Sequence, residues 1–81
     1  MGRYYFDLSN GFGDIKDSDG QPLPSLQHVK KEVARIISDV IRDSLNDENQ
    51  GRISVCARDE SGAVVCTGNV VFSIQPPADC Q

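Results

Sequence analysis

The sequence predicts a small α+β domain of ββαββ order, a four-stranded antiparallel sheet with one amphipathic helix packed on one face. Three observations carry this. Apolar and polar residues alternate towards both ends of the chain, apolar residues recur at helical spacing in the middle, and clusters of Gly, Asn, Asp and Pro separate these segments.

Arg3-Tyr4-Tyr5-Phe6-Asp7-Leu8 opens the chain as a strand, with Tyr4, Phe6 and Leu8 on one face and Arg3, Tyr5 and Asp7 on the other. Ser9-Asn10-Gly11-Phe12-Gly13 has turn chemistry, and Asp14 to Asp17 reads as the return arm of a hairpin. After a second turn at Ser18-Asp19-Gly20, Pro22 and Pro24 hold the chain extended.

A helix begins after Pro24 with Ser25 as N-cap. Leu26, Val29, Val33, Ile36, Ile37, Val40 and Ile41 fall within an arc of about 140° at 100° per residue. The β-branched content lowers helix propensity, so packing must hold this segment. Asn46 to Gly51 closes the helix.

Arg52 to Arg58 alternates as a third strand with Ile53, Val55 and Ala57 inward, and Asp59-Glu60-Ser61-Gly62 forms a four-residue hairpin loop. The last and longest strand spans about Ala63 to Ile74, with Cys66, Gly68, Val70, Phe72 and Ile74 on one face. Being the most apolar, the first and last strands are expected side by side at the centre of the sheet. The domain then covers residues 1–75, and residues 76–81 form a flexible tail.

The hairpin register settles the cysteines. A four-residue loop pairs Arg58 with Ala63, Ala57 with Val64 and Val55 with Cys66. Cys56 then lies opposite Val65 and faces outward, whereas Cys66 faces the helix. Pairing the two thiols would require a slip of one residue, which turns the apolar set out of the core. Free thiols are expected; Cys80 lies in the tail.

Composition narrows the function classes. Twelve acidic residues against eight basic ones give a net charge of −4, and the basic residues are dispersed. That disfavours a phosphate-backbone footprint, which needs clustered Lys and Arg. The 81 residues leave room for one domain, and no apolar run approaches the ~20 residues of a membrane span. A soluble cytoplasmic protein with no membrane association is the expectation.

Candidate chemistry is sparse. Asp14, Asp17 and Asp19 before Gly20 evoke a calcium loop, but counting back from the glycine puts Ile15 at the first ligand position and Leu26 at the twelfth. His28 falls on the polar side of the helix, with only Glu32 one turn away. The three cysteines lack metal spacing, and no helix follows Gly11-Phe12-Gly13 to make a phosphate loop. No catalytic, cofactor-binding or metal-binding residue is assigned, and no cofactor is expected.

One helix covers only one face of such a sheet. The other face carries Arg3, Tyr5, Cys56, Arg58, Val65, Thr67 and Val71, a mixture more apolar than an ordinary solvated face. These residues are the candidate partner face. The partner is a second copy, giving a homodimer, or another protein; stacking of a nucleobase on Tyr5 or binding of a small ligand is the alternative.

The opening Gly-Arg-Tyr-Tyr-Phe-Asp-Leu with its Asn-Gly turn, the Asp-Ser-Asp-Gly-Gln-Pro-Leu-Pro-Ser-Leu run and the Arg-Asp-Glu-Ser-Gly hairpin resemble a family of small uncharacterised proteins of rhizobia and related alphaproteobacteria. The resemblance extends through Ile74 and implies a fold and a bacterial host, with no activity or site residues to carry over. Gly68 departs from it, standing where a larger apolar residue is expected, as does the Pro-Pro-Ala-Asp-Cys-Gln tail. The strand, acidic turn, Leu-Pro-Ser-Leu entry and helix are also similar in layout to the N-terminal domain of HicB-type antitoxins, which implies partner binding by analogy of fold. The sequence thus leads to a non-catalytic interaction or oligomerisation module, with an antitoxin-like partner-binding protein as the alternative.

Overall fold

The computed structural model describes residues 2–11 and 13–75. The expected tail at residues 76–81, including Cys80, lies outside the described residues, as does Phe12. Five strands and one helix follow in the order β1 (Gly2–Ser9), β2 (Asp14–Ile15), β3 (Gln21–Leu23), α1 (Leu26–Asp47), β4 (Gln50–Arg58) and β5 (Val64–Ser73). The protein is α+β, one helix on an antiparallel sheet, and the path across the sheet runs β2-β1-β4-β5 with β3 pairing β1 off that path.

The path across the sheet has the four strands expected, and β3 adds a short fifth segment beside β1. Pro22 and its neighbours do more than hold the chain extended: Gly2, Arg3 and Tyr4 pair with Leu23, Pro22 and Gln21. A proline is tolerated there because its missing N–H falls on an edge strand. β2 in turn pairs with the far end of β1, Leu8 with Ile15 and Ser9 with Asp14. Residues 14–23 therefore make one interrupted edge strand, with residues 16–20 looping out between its two short halves.

The expected adjacency of the first and last strands is also corrected. β1 lies beside β4, Phe6 opposite Ala57 and Leu8 opposite Val55, and β5 is an edge. Apolar content pointed the wrong way because β5 carries apolar residues on both faces, Val64 and Val71 being exposed. β4 is central because Ile53, Val55 and Ala57 are its deeply buried residues, each nearly inaccessible.

The hairpin register shifts from the one expected, by one residue at Arg58 and by two from Ala57 inward. Asp59 N–H donates to Ala63 O, and the Asp59 carboxylate accepts the N–H groups of Ser61 and Ala63, which closes the loop at Asp59 and Ala63. Arg58 then pairs with Val64, Ala57 with Cys66 and Val55 with Gly68, across a bulge. An even shift keeps every face, so Cys56 lies opposite Thr67 and Cys66 packs against the core. Cys56 and Cys66 are free thiols. Val65 is the residue the bulge skips, and it packs against the core cluster instead of joining the open face.

α1 runs 22 residues, about 33 Å, past the Asn46 at which the sequence reading closes it. Ser25 caps it by accepting the His28 N–H, and Ser25 Oγ lies 2.8 Å from His28 Nδ1, so the exposed histidine helps hold the cap. On the polar side Arg35 bridges Glu32 and Asp39 at 2.6 and 2.8 Å. Val29 and Val33 are buried against Phe6, Val55 and Ala57.

Gly68 lies at a close approach between helix and sheet. A Cβ built there would stand 2.7 Å from Val33 Cγ1 and 2.8 Å from Ile37 Cδ1. A larger apolar residue is absent here because the helix occupies its space. Gly68→Ala is expected to lose about 1 kcal/mol by overpacking, because the β-branched Val33 has little rotamer freedom with which to yield. Urea unfolding followed by circular dichroism measures this, and a stabilised variant would contradict the close packing.

Candidate functional site at the open sheet face

The face away from α1 is built in rows by the strand pairings. Tyr5 lies beside Arg58, Asp7 beside Cys56 and Thr67, Ser9 beside Ser54 and Asn69, and Arg52 beside Val71. Between the rows runs a shallow trough of about 440 Å³ whose lining includes Asp7, Ser9, Ser54, Cys56, Thr67 and Asn69.

One end of this face is tied by a charged network. Arg58 meets Asp7 through two bonds, Nε to Oδ2 at 2.7 Å and a terminal guanidinium N–H to Oδ1 at 3.1 Å. The same guanidinium reaches the Asp17 carbonyl at 3.2 Å and lies 5.2 Å from the centre of the Tyr5 ring. This fork geometry suits Arg and the stacking suits its flat, weakly hydrated head. The hydrogen bond from Arg58 holds the Asp7 carboxyl below the usual aspartate range, against the opposing effect of burial.

Asp17 fills the gap between β2 and β3. Its carboxylate accepts the Phe6 N–H at 3.1 Å, where a continuous strand would have offered a carbonyl. It also accepts the N–H groups of Asp19 and Gly20, each at 3.1 Å, while its own N–H donates to Asp7 Oδ1 at 3.0 Å. Burial of the carboxylate raises its pKa, but the bonds from Gly20, Phe6 and Asp19 outweigh it, and the group titrates below the usual range. Gly20, at φ +69, brings its own backbone against Tyr4 O, where a Cβ would sit 2.9 Å away.

The acidic turn thus serves as an edge device. Asp17 spends its oxygens on backbone donors, and among the described residues no group of three or more His, Cys, Asp or Glu is placed to hold a metal ion. The seven residues of the expected partner face divide accordingly. Arg58 is committed to Asp7 and Asp17, and Arg3 donates to Asp19 O and, from its backbone, to Glu60. Val65 packs against the core. Tyr5, Cys56, Thr67 and Val71 stay on the open face, and Val71 at 70% is the most exposed large apolar residue among the described residues. The sequence reading left out Asp7, Ser54 and Asn69, all of which follow from strict alternation; Asp17 needs the interrupted edge to be found.

These features define a class of protein, an α+β domain with one covered and one open sheet face, sealed at one edge by side chains and, among the described residues, unpaired at the other. Within that class the chain belongs to a domain-of-unknown-function family, DUF6894, whose model matches residues 3–71. Neither the curated proteins nor the solved structures gave a match. No described helix is long and apolar enough to cross a membrane.

Proposed function

We propose that this protein is a non-catalytic interaction module that presents its open sheet face to another protein chain. The observation that supports this best is the make-up of that face. Asp7 and Arg58 pair with each other and backbone N–H groups occupy the Asp17 carboxylate, whereas Val71 stands exposed and Ser54, Cys56, Thr67 and Asn69 line the trough, with Asp14 and Lys16 on its β2 side. Interfaces favour such surfaces, with an aromatic anchor and few charges at the centre. The same pairing favours protein over nucleic acid, since Arg58 has its carboxylate partner in place. An antitoxin-like role, with this chain as the partner-binding protein, is one form of this reading.

Tyr5→Ala is the direct test. It removes the ring over Arg58 but no core contact, so the fold is expected to survive with a loss of about 0.5–1 kcal/mol. Binding to a partner, whether a second copy or a protein co-purified and identified by cross-linking at Cys56, is expected to weaken about tenfold or more. Unchanged affinity in both Tyr5→Ala and Thr67→Lys would remove the open face from the interface.

A further inference from the structure

We propose that β5 is a docking edge for a second copy of this chain, the two β5 strands pairing antiparallel about a two-fold axis near Gly68 and Asn69. This rests on the interaction reading above and names both its edge and its occupant. The two edges of the sheet differ. On the far side the edge is two short strands of two and three residues, interrupted by the Asp17 loop and containing Pro22. Such an edge is blunted against further pairing. β5 has none of these protections, being ten residues long with no charge and no proline, and no described strand pairs with its outer side.

The backbone shows which groups it offers. Ile74 N–H donates to Asn49 O, so alternation turns the N–H and C=O of Phe72, Val70 and Gly68 towards β4. Those of Ser73, Val71, Asn69 and Thr67 point away from β4 to the free edge. The side chains of these four residues stand on the open face, so strand pairing would join two open faces into one continuous surface.

The occupant follows from self-complementarity. A strand that is uniform and uncharged can meet its own copy antiparallel, and a two-fold axis on any residue of Thr67–Ser73 sets outward side chains beside outward ones. With the axis at Asn69, Thr67 lies beside Val71 of the other copy, a β-branched cross-strand pair. Charge agrees: each chain carries −4, and β5 is a segment along which two copies approach without bringing acidic side chains together. On the helix side Cys66, Val70 and Phe72 are only half-buried at this edge and would gain cover.

The test uses two edge variants and solution mass. Asn69→Pro deletes an N–H aimed at the partner and leaves the β4 ladder whole; Val71→Lys places a charge on the edge. Sedimentation of the intact chain at roughly 0.1 mM is expected to give twice 8.8 kDa, and each variant is expected to weaken the dimer at least about tenfold while retaining the wild-type circular dichroism spectrum. A wild-type monomer at that concentration overturns the proposal. So does a dimer that survives both edge variants. If that surviving dimer is lost in Tyr5→Ala, the edge assignment fails while the open-face reading stands.

Discussion

Asp17→Ala is expected to lower stability by about 2–3 kcal/mol, or a thermal midpoint about 10–20 °C lower for a domain of this size. The side chain accepts the N–H groups of Phe6, Asp19 and Gly20. Without it, the Phe6 donor faces a gap in the edge strand and the loop loses the anchor that folds it against β1. Water reaches part of this site, which keeps the loss below the sum of three orphaned donors. Asp17→Asn retains an acceptor oxygen and is expected to recover about half.

The same residue governs the acid limb of the stability curve. Asp17 and Asp7 both titrate lower folded than unfolded, so their stabilisation is present above about pH 4, the range of an unperturbed aspartate, and is lost as pH falls through the folded values. Thermal midpoints of the wild type are expected to drop steeply below pH 4, and those of Asp17→Asn more gently. Parallel curves would show that the carboxylate is not held by these donors.

Arg58→Ala is expected to cost about 1–2 kcal/mol. Its fork on Asp7 is about one-fifth exposed on each side, which places it between a buried and a surface ion pair. Removal leaves the Asp7 carboxylate with one remaining donor, the Asp17 N–H, and uncovers the Tyr5 ring. Arg58→Lys keeps the charge but not the paired bonds or the stacking, and is expected to restore less than half of the loss. A double-mutant cycle with Asp7→Asn should give a coupling of about 1 kcal/mol; a coupling near zero would mean that the pair stabilises nothing.

Much of this architecture is legible in the sequence. The helical stripe from Val29 to Ile41 and the alternation around Phe6 and Val55 fix which residues face inward, because burial rewards one periodicity at a time, whereas Leu26, read as part of that stripe, is exposed in the first turn. Both free cysteines follow from that alternation even though the hairpin register is two residues off, since an even slip preserves the faces. Strand order is less legible. Val64 and Val71 make β5 look central, yet both are exposed, and hydropathy does not tell an apolar open face from a second buried one. The site is half legible: Tyr5, Cys56, Thr67 and Val71 come from alternation alone. The roles of Asp17 and Arg58 do not, because they depend on contacts across 11 and 51 residues of chain. The bulge at Val65 is likewise a product of the loop that Asp59 closes.

Amide hydrogen exchange along β5 tests the central claim, that this strand and the face beside it are the working surface, most directly. In the dimer both sets of amides are engaged, so Thr67, Asn69 and Val71 are expected to exchange as slowly as Gly68, Val70 and Phe72 at high protein concentration, and to become fast on dilution. Fast exchange at Thr67, Asn69 and Val71 at every concentration, beside slow exchange at Gly68, Val70 and Phe72, would contradict it.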